Sequence, residues 1–186
     1  RTEIDGSVSS QFVSSILMAA PCAEEDVEVT LPAPPASRSY LDLTLDVMRE
    51  FGARFERRGY EWFRVESGVP YLGRDYRIEG DFSSASYLFA IAAICGGRVT
   101  VRGLNPASVQ GDRRFLDALV SMGCRVASSD DAVTVERTGG LEGIEIDMSS
   151  SPDTVQTLAA VAAVAGSPTT ITGTAHLRYK ESDRVA

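Results

Sequence analysis

The segment His176-Leu177-Arg178-Tyr179-Lys180-Glu181-Ser182-Asp183-Arg184 holds the only histidine and the only lysine of the 186-residue chain. Every other one of the 18 Lys and Arg residues is arginine. A lysine is a compact donor whose pKa responds to its surroundings, so acid-base chemistry can use it where arginine cannot serve. On a helix Lys180 and Arg184 stand four apart and share a face. Two cations on one face suit a dianionic phosphate or a phosphate-carboxylate ligand. The same run also reads as a solvated charged face, with Glu181 and Asp183 neutralising the cations.

Ser9-Ser10-Gln11 stands where an apolar helix begins. A helix N-terminus offers free backbone N–H groups and a favourable dipole, and two hydroxyls and an amide make that a ready phosphate or carboxylate site. Serine is equally a common N-cap, and that role also suffices for Ser83-Ser84 and Ser149-Ser150. Asp153 follows Pro152 and opens the third apolar helix. An acid in a first turn answers the helix dipole, whereas a catalytic base must also reach the reacting hydroxyl. Gln110-Gly111-Asp112 reads as a loop and helix start with a structural role.

These residues are positioned by a repeat. Three apolar helical segments, Phe12 to Ala20, Tyr87 to Cys95 and Val155 to Ala165, each follow a serine pair or triplet, at a spacing of roughly 70 residues. Each leads to a β-rich run: Val27 to Leu31, Val99 to Arg102 and Thr169 to Thr172. In the first two copies a second helix follows, Tyr40 to Phe51 and Gly111 to Met122, closed by Gly52 and Gly123 as C′ caps. Strand pairs come next: Arg54 to Arg57 with Glu61 to Glu66, and Arg125 to Ala127 with Ala132 to Glu136. Each unit therefore reads β-α-β-α-β-β, an α/β fold with mixed sheets, and the third breaks off in its second helix. Ser67 to Arg77, rich in Gly, Pro and Tyr, is the linker candidate, with a boundary near Ile78.

Composition excludes several classes. The chain is 44% hydrophobic and 24% charged, ordinary for a globular protein. A net charge of −8 argues against a general nucleic-acid binder. The longest apolar runs are too short to span a bilayer, and no signal-type segment opens the chain. Cys22, Cys95 and Cys124 lie far apart, without metal-ligand spacing, and read as reduced cytosolic thiols, so a cytoplasmic location is expected. The chain opens without methionine and closes in a charged segment, so it is expected to be a piece of something longer.

The motifs Asp5-Gly6-Ser7-Val8-Ser9-Ser10-Gln11-Phe12, Ser37-Arg38-Ser39-Tyr40, Glu79-Gly80-Asp81-Phe82-Ser83-Ser84-Ala85-Ser86-Tyr87, Gln110-Gly111-Asp112, Ser151-Pro152-Asp153 and Arg178-Tyr179-Lys180-Glu181-Ser182-Asp183-Arg184 occur together in order. In this order and spacing the chain resembles the 5-enolpyruvylshikimate-3-phosphate synthases over essentially its whole length. The resemblance implies a two-lobe fold of repeated β-α-β-α-β-β units that closes around its substrates. Residues 1–78 would be the C-terminal part of one lobe and 79–186 the first part of the other.

It further implies transfer of the enolpyruvyl group of phosphoenolpyruvate to the 5-hydroxyl of shikimate-3-phosphate, releasing phosphate, in aromatic amino-acid biosynthesis. No metal or organic cofactor, nucleic acid or membrane is implied, and the parent is expected to be a monomer. Ser9, Ser10 and Gln11 match the segment that contacts shikimate-3-phosphate, Gln11 also lying near phosphoenolpyruvate. Ser37 matches a phosphate contact, and Tyr40 a residue beside the shikimate ring. Asp153 matches the carboxylate that holds the shikimate hydroxyls and serves as base. Lys180 matches a substrate-binding, proton-transfer lysine, Glu181 a proton donor to the methylene carbon, and Arg184 a phosphoenolpyruvate-binding arginine. His176 stands where the family often has asparagine, and a neutral imidazole can replace that hydrogen bond.

The family's early Lys-Ser and Arg motif, its glycine-rich loop and its late His-Arg and Lys residues lie outside this chain, which alone is expected to be inactive. The rival readings are an enolpyruvyl transferase acting on UDP-N-acetylglucosamine, which the Lys-Glu-Ser-Asp-Arg run disfavours, and a non-catalytic binding or structural module.

Overall fold

The computed structural model describes residues 1–180 and 182–185. Its backbone contacts divide the chain into two compact units, Arg1–Arg77 and Ile78–Ala186.

In the first unit β1 (Thr2–Glu3), α1 (Ser10–Ala19), β2 (Val27–Thr30), α2 (Arg38–Glu50), β3 (Phe55–Arg58) and β4 (Trp62–Val65) follow in order, one complete β-α-β-α-β-β repeat. The sheet runs β1-β2-β4-β3, with β1 parallel to β2, and β4 antiparallel to both β2 and β3. Both helices pack on it because their apolar residues recur at helical spacing. Val13 and Leu17 on α1, and Leu41, Leu45 and Met48 on α2, are all buried. They meet Val29, Phe63 and Val65, the inward positions of alternating strands. Each such side chain contributes about 1.5–3 kcal/mol on burial, which makes this stripe the main stabiliser of the unit.

Gly52 ends α2 at φ 88°, with its N–H on the Arg49 carbonyl at 3.0 Å. That left-handed position is one glycine adopts without a Cβ penalty. The linker candidate carries no regular structure, yet it is fastened down. Tyr71 donates its hydroxyl to the Met18 carbonyl (2.8 Å), Leu72 N–H reaches the Phe51 carbonyl (2.8 Å) and Arg74 pairs with Glu50 (2.6 Å).

The second unit holds α3 (Phe82–Cys95), β5 (Gly97–Arg102), α4 (Arg114–Ser121), β6 (Cys124–Ser129), β7 (Ala132–Arg137), β8 (Glu145–Asp147), α5 (Val155–Ala162) and β9 (Thr170–Thr172). One sheet is β5-β7-β6, antiparallel throughout, and β8 pairs parallel with β9. The first repeats the β2-β4-β3 order of the first unit, and the second repeats β1-β2. Phe82, Phe89 and Ala93 of α3 pack with Phe115 and Leu119 of α4, Val133 and Val135 of β7, and Leu158 and Val161 of α5 in one core. Gly123 closes α4 as Gly52 closes α2, at φ 102°.

Several sequence expectations change. The strand that should open the second repeat is reduced to one hydrogen bond, Gly80 N–H to the Gly103 carbonyl at 2.7 Å. The chains approach so closely there that a Cβ on Gly80 would lie 2.9 Å from that carbonyl oxygen. α3 begins at Phe82, five residues before the expected Tyr87, because Asp81 caps it. Gly111–Arg113 forms a 3₁₀ turn ahead of α4, and α5 ends at Ala162. The helix expected to carry Lys180 and Arg184 does not form among the described residues. A 3₁₀ turn, Ala175–Tyr179, stops at an extended Lys180, and Arg184 N–H folds back to the Leu177 carbonyl at 3.2 Å.

Candidate functional site

In the first unit the sequence-predicted serines stand at two neighbouring helix starts. Ser9 is the N-cap of α1, its hydroxyl accepting from Gln11 N–H at 3.2 Å, while Ser10 is buried behind it and Gln11 is exposed. Ser37 occupies the N-cap position of α2 but spends no hydroxyl bond on capping. Its backbone is left-handed (φ 51°, ψ 53°), the one non-glycine residue with positive φ among those described. Such a conformation is uncommon outside glycine and persists where surrounding structure imposes it. The constraint is visible: Ala36 N–H bonds the Gly6 carbonyl at 2.9 Å, tying the start of α2 to the loop that enters α1. Further along, Ser14 and Thr44 hydroxyls bond at 2.9 Å and Thr44 donates to the Tyr40 carbonyl at 2.8 Å. The two helices thus run side by side with their positive ends together, a geometry that attracts anions.

In the second unit the charged residues converge on a cleft of about 480 Å³ lined by Ser83, Tyr87, Asp153, Gln156 and Arg184. Asp153 sits in a 3₁₀ turn, Pro152–Thr154, just before α5. That turn is locked by a buried network: Ser151 donates to Asp112 (3.1 Å) and shares a hydrogen bond with Thr154 (2.8 Å). Gln110 staples the approach to α3, donating to Glu79 (2.8 Å) and the Gly80 carbonyl (2.9 Å) while accepting from Phe82 N–H (2.9 Å). The structural role read for Gln110-Gly111-Asp112 therefore includes positioning two walls of the cleft.

Asp153 accepts from the Arg184 guanidinium at 2.7 Å, and the Lys180 ammonium lies 3.9 Å from the same oxygen. Asp183 pairs with Arg178 at 3.2 Å. The solvated-face reading therefore accounts for Arg178 and Asp183, while Lys180 and Arg184 turn to the carboxylate 27–31 positions earlier. Glu181 lies outside the described residues.

His176 sits in the turn before Lys180, and its Nε2 is enclosed with no hydrogen-bond partner among the described residues. Burial pushes its pKa below the ordinary histidine value, and Lys180 adds to that while Asp153 and Asp147 oppose it. Asp147 is held below the usual carboxylate range by the hydroxyl and N–H of Ser149, at 2.6 and 2.9 Å.

Ser83, Tyr87 and Gln156 escaped sequence reasoning. Ser83-Ser84 read as an N-cap pair, but Asp81 caps α3, accepting from Ser83 N–H (2.9 Å) and Ser84 N–H (3.0 Å). That frees Ser83 to face the cleft with Tyr87, one turn along the same helix. The only signal was a cluster of polar-tipped residues, Ser83, Ser84, Ser86 and Tyr87, in the first turns of a helix that is apolar beyond them.

Comparison with known proteins shows which family the chain resembles. The sequence model of the EPSP synthase (3-phosphoshikimate 1-carboxyvinyltransferase) family matches residues 1–186. A 3-phosphoshikimate 1-carboxyvinyltransferase of Methanoculleus marisnigri is 81% identical over 185 residues, covering 100% of this chain and 44% of that protein. One from Serratia proteamaculans is 45% identical, covering 98% of this chain and 43% of its own. Among solved structures, an EPSP synthase of Acinetobacter baumannii superposes with TM-score 0.75 at 27% identity, over 99% of this chain and 43% of that one. The enolpyruvyl transferase NikO of Streptomyces tendae, at 22% identity and TM-score 0.68, shares the fold. The chain thus spans under half the length of the relatives it matches.

Proposed function

The chain belongs to the EPSP synthase family, and on that premise we propose that it serves transfer of the enolpyruvyl group of phosphoenolpyruvate to the 5-hydroxyl of shikimate-3-phosphate. The observation that carries this reading is the gathering of Lys180 and Arg184 on Asp153, a carboxylate that lines the cleft together with Arg184. Both substrates are multiply anionic and must be held against their repulsion. An arginine fork and a lysine point charge, fixed beforehand by a shared carboxylate, suit that task.

In the reaction a proton adds to the methylene carbon of phosphoenolpyruvate and makes its neighbour electrophilic. The 5-hydroxyl oxygen bonds to that neighbour and gives its proton to a base. The tetrahedral adduct then loses phosphate and a methyl proton, which restores the double bond. In this scheme Asp153 orients the shikimate hydroxyls and takes the hydroxyl proton. Arg184 and Lys180 hold phosphoenolpyruvate, and Glu181 delivers the proton to carbon. Ser9, Ser10 and Ser37 bind the phosphate of shikimate-3-phosphate at the α1 and α2 N-termini, Gln11 and Tyr40 flank the ligands, and His176 takes the place of an asparagine. Residues 1–78 and 79–186 would belong to different lobes of a monomeric cytoplasmic enzyme that uses no cofactor.

The test is a chimera in which this chain replaces the matching 44% of the Methanoculleus marisnigri relative. Phosphate release that requires both phosphoenolpyruvate and shikimate-3-phosphate is expected. Release with UDP-N-acetylglucosamine as the acceptor instead, or with neither, would overturn the reading.

A further inference from the structure

His176 is the single histidine of the chain, and its enclosed Nε2 has no partner among the described residues. The charged groups that act on it electrostatically come from three places. Asp147 ends β8, Asp153 stands in the turn before α5, and Lys180 follows on its own segment. Behind them Arg184 holds Asp153 at 2.7 Å, and Arg114, at the start of α4, acts on Asp147. Glu181 lies outside the described residues. Burial and the like charge of Lys180 outweigh the two carboxylates, so the imidazole is uncharged at neutral pH.

Its charge acts on Asp153 through the electrostatic interaction between the two. Uncharged, the ring leaves that carboxylate to Lys180 and Arg184. Protonated, it becomes a third cation beside one acceptor that already serves two, repelling Lys180 and drawing Asp153 toward itself. An asparagine at this place cannot change charge.

We propose that His176 is a positioning residue that must be uncharged for Asp153, Lys180 and Arg184 to engage their ligand, so that the site shuts off in mildly acidic solution. The inference rests on the enolpyruvyl-transfer reading for its ligand, but not for its charge state.

The experiment compares the chimera with its His176→Asn variant, measuring kcat/KM for shikimate-3-phosphate between pH 5 and 8, an interval set around the ordinary histidine pKa of about 6.5. This parameter reports ionisations of the free enzyme and free substrate. The substrate phosphate titrates identically in both proteins, so the ratio of the two profiles isolates His176. The ratio of native to variant should hold level at neutral pH and fall by up to about tenfold per pH unit below the imidazole pKa. A ratio that stays flat, or rises in acid, overturns the proposal.

Histidine labelled with carbon-13 gives the second measurement in the same proteins. The resonance missing from His176→Asn belongs to His176. Its midpoint should lie below about 6.5 and move up in Lys180→Met. A midpoint at the ordinary value that Lys180→Met leaves in place overturns the coupling. Should the chimera transfer nothing at any pH, the functional reading falls, and this titration alone decides the role of His176.

Discussion

Replacing Asp153 with asparagine separates a structural ion pair from a working carboxylate. The Asp153 oxygen lies 2.7 Å from Arg184 and 3.9 Å from Lys180. With charge centres about 4 Å apart and an effective dielectric of about 20, each pair attracts by about 4 kcal/mol before desolvation. The three side chains are 19–31% exposed, so screening and desolvation remove much of this. A charge-assisted hydrogen bond retains about 1.5–3 kcal/mol, and asparagine keeps the shape and one acceptor. Asp153→Asn should therefore lower stability by about 1–2 kcal/mol, too little to unfold an ordinary domain. Loss of a general base, by contrast, lowers kcat by about 100- to 10,000-fold. Urea unfolding and steady-state kinetics of the chimera measure both. A variant that keeps kcat within about tenfold of the parent would refute the base assignment. So would a loss of activity matched by loss of folded protein.

Other expectations follow from single contacts. Ser37→Gly should fold at least as well as the parent, because glycine accepts φ 51° freely, yet raise KM for shikimate-3-phosphate by about 10- to 150-fold through one lost hydrogen bond to a charged ligand; unchanged KM would take Ser37 out of the site. Gly80→Ala sets a Cβ 2.9 Å from the Gly103 carbonyl oxygen and should cost about 1–3 kcal/mol, read as a lowered urea midpoint. Asp81→Ala removes the cap of α3 and should cost about 0.5–2 kcal/mol in the same assay, whereas Ser84→Ala should cost less. Because the folded pKa of His176 lies below its unfolded value, the unfolded chain binds more protons between the two. Stability should thus decline as pH falls through about 6.5 toward the folded value, and His176→Asn should flatten that slope in unfolding curves taken at several pH values.

Local chemistry made much of the fold legible. Gly52 and Gly123 announced helix ends because a left-handed C′ residue has few alternatives. The strand pairs around Gly59 and Asp130 were visible through polar turns between alternating apolar residues. The missing strand of the second repeat was not visible: what stands in its place is the hydrogen-bonded approach of Gly80 to Gly103, a contact that no local pattern records. Helical spacing misled at Lys180 and Arg184. They reach one carboxylate from a folded-back segment rather than from a shared helix face, and their partner stands 31 positions before Arg184. Asp153 itself looked like an ordinary first-turn acid, and only resemblance to a family singled it out. The serines divided similarly. Ser9 is a cap as its type predicts, whereas Ser83 is released from capping by Asp81, a competition that depends on which oxygen reaches the free N–H groups first.

Enolpyruvyl transfer moves carbon from one substrate to the other, and labelled phosphoenolpyruvate follows that carbon. The chimera is incubated in heavy water with shikimate-3-phosphate and phosphoenolpyruvate carrying carbon-13 at its methylene, and the label is followed by NMR. The label should move into an enol ether of shikimate-3-phosphate, with one phosphate released per transfer. Deuterium should enter the methylene, because that carbon is transiently a methyl group, and Asp153→Asn should slow the transfer. Label that ends in pyruvate, or phosphate released with no enol ether formed, would contradict it.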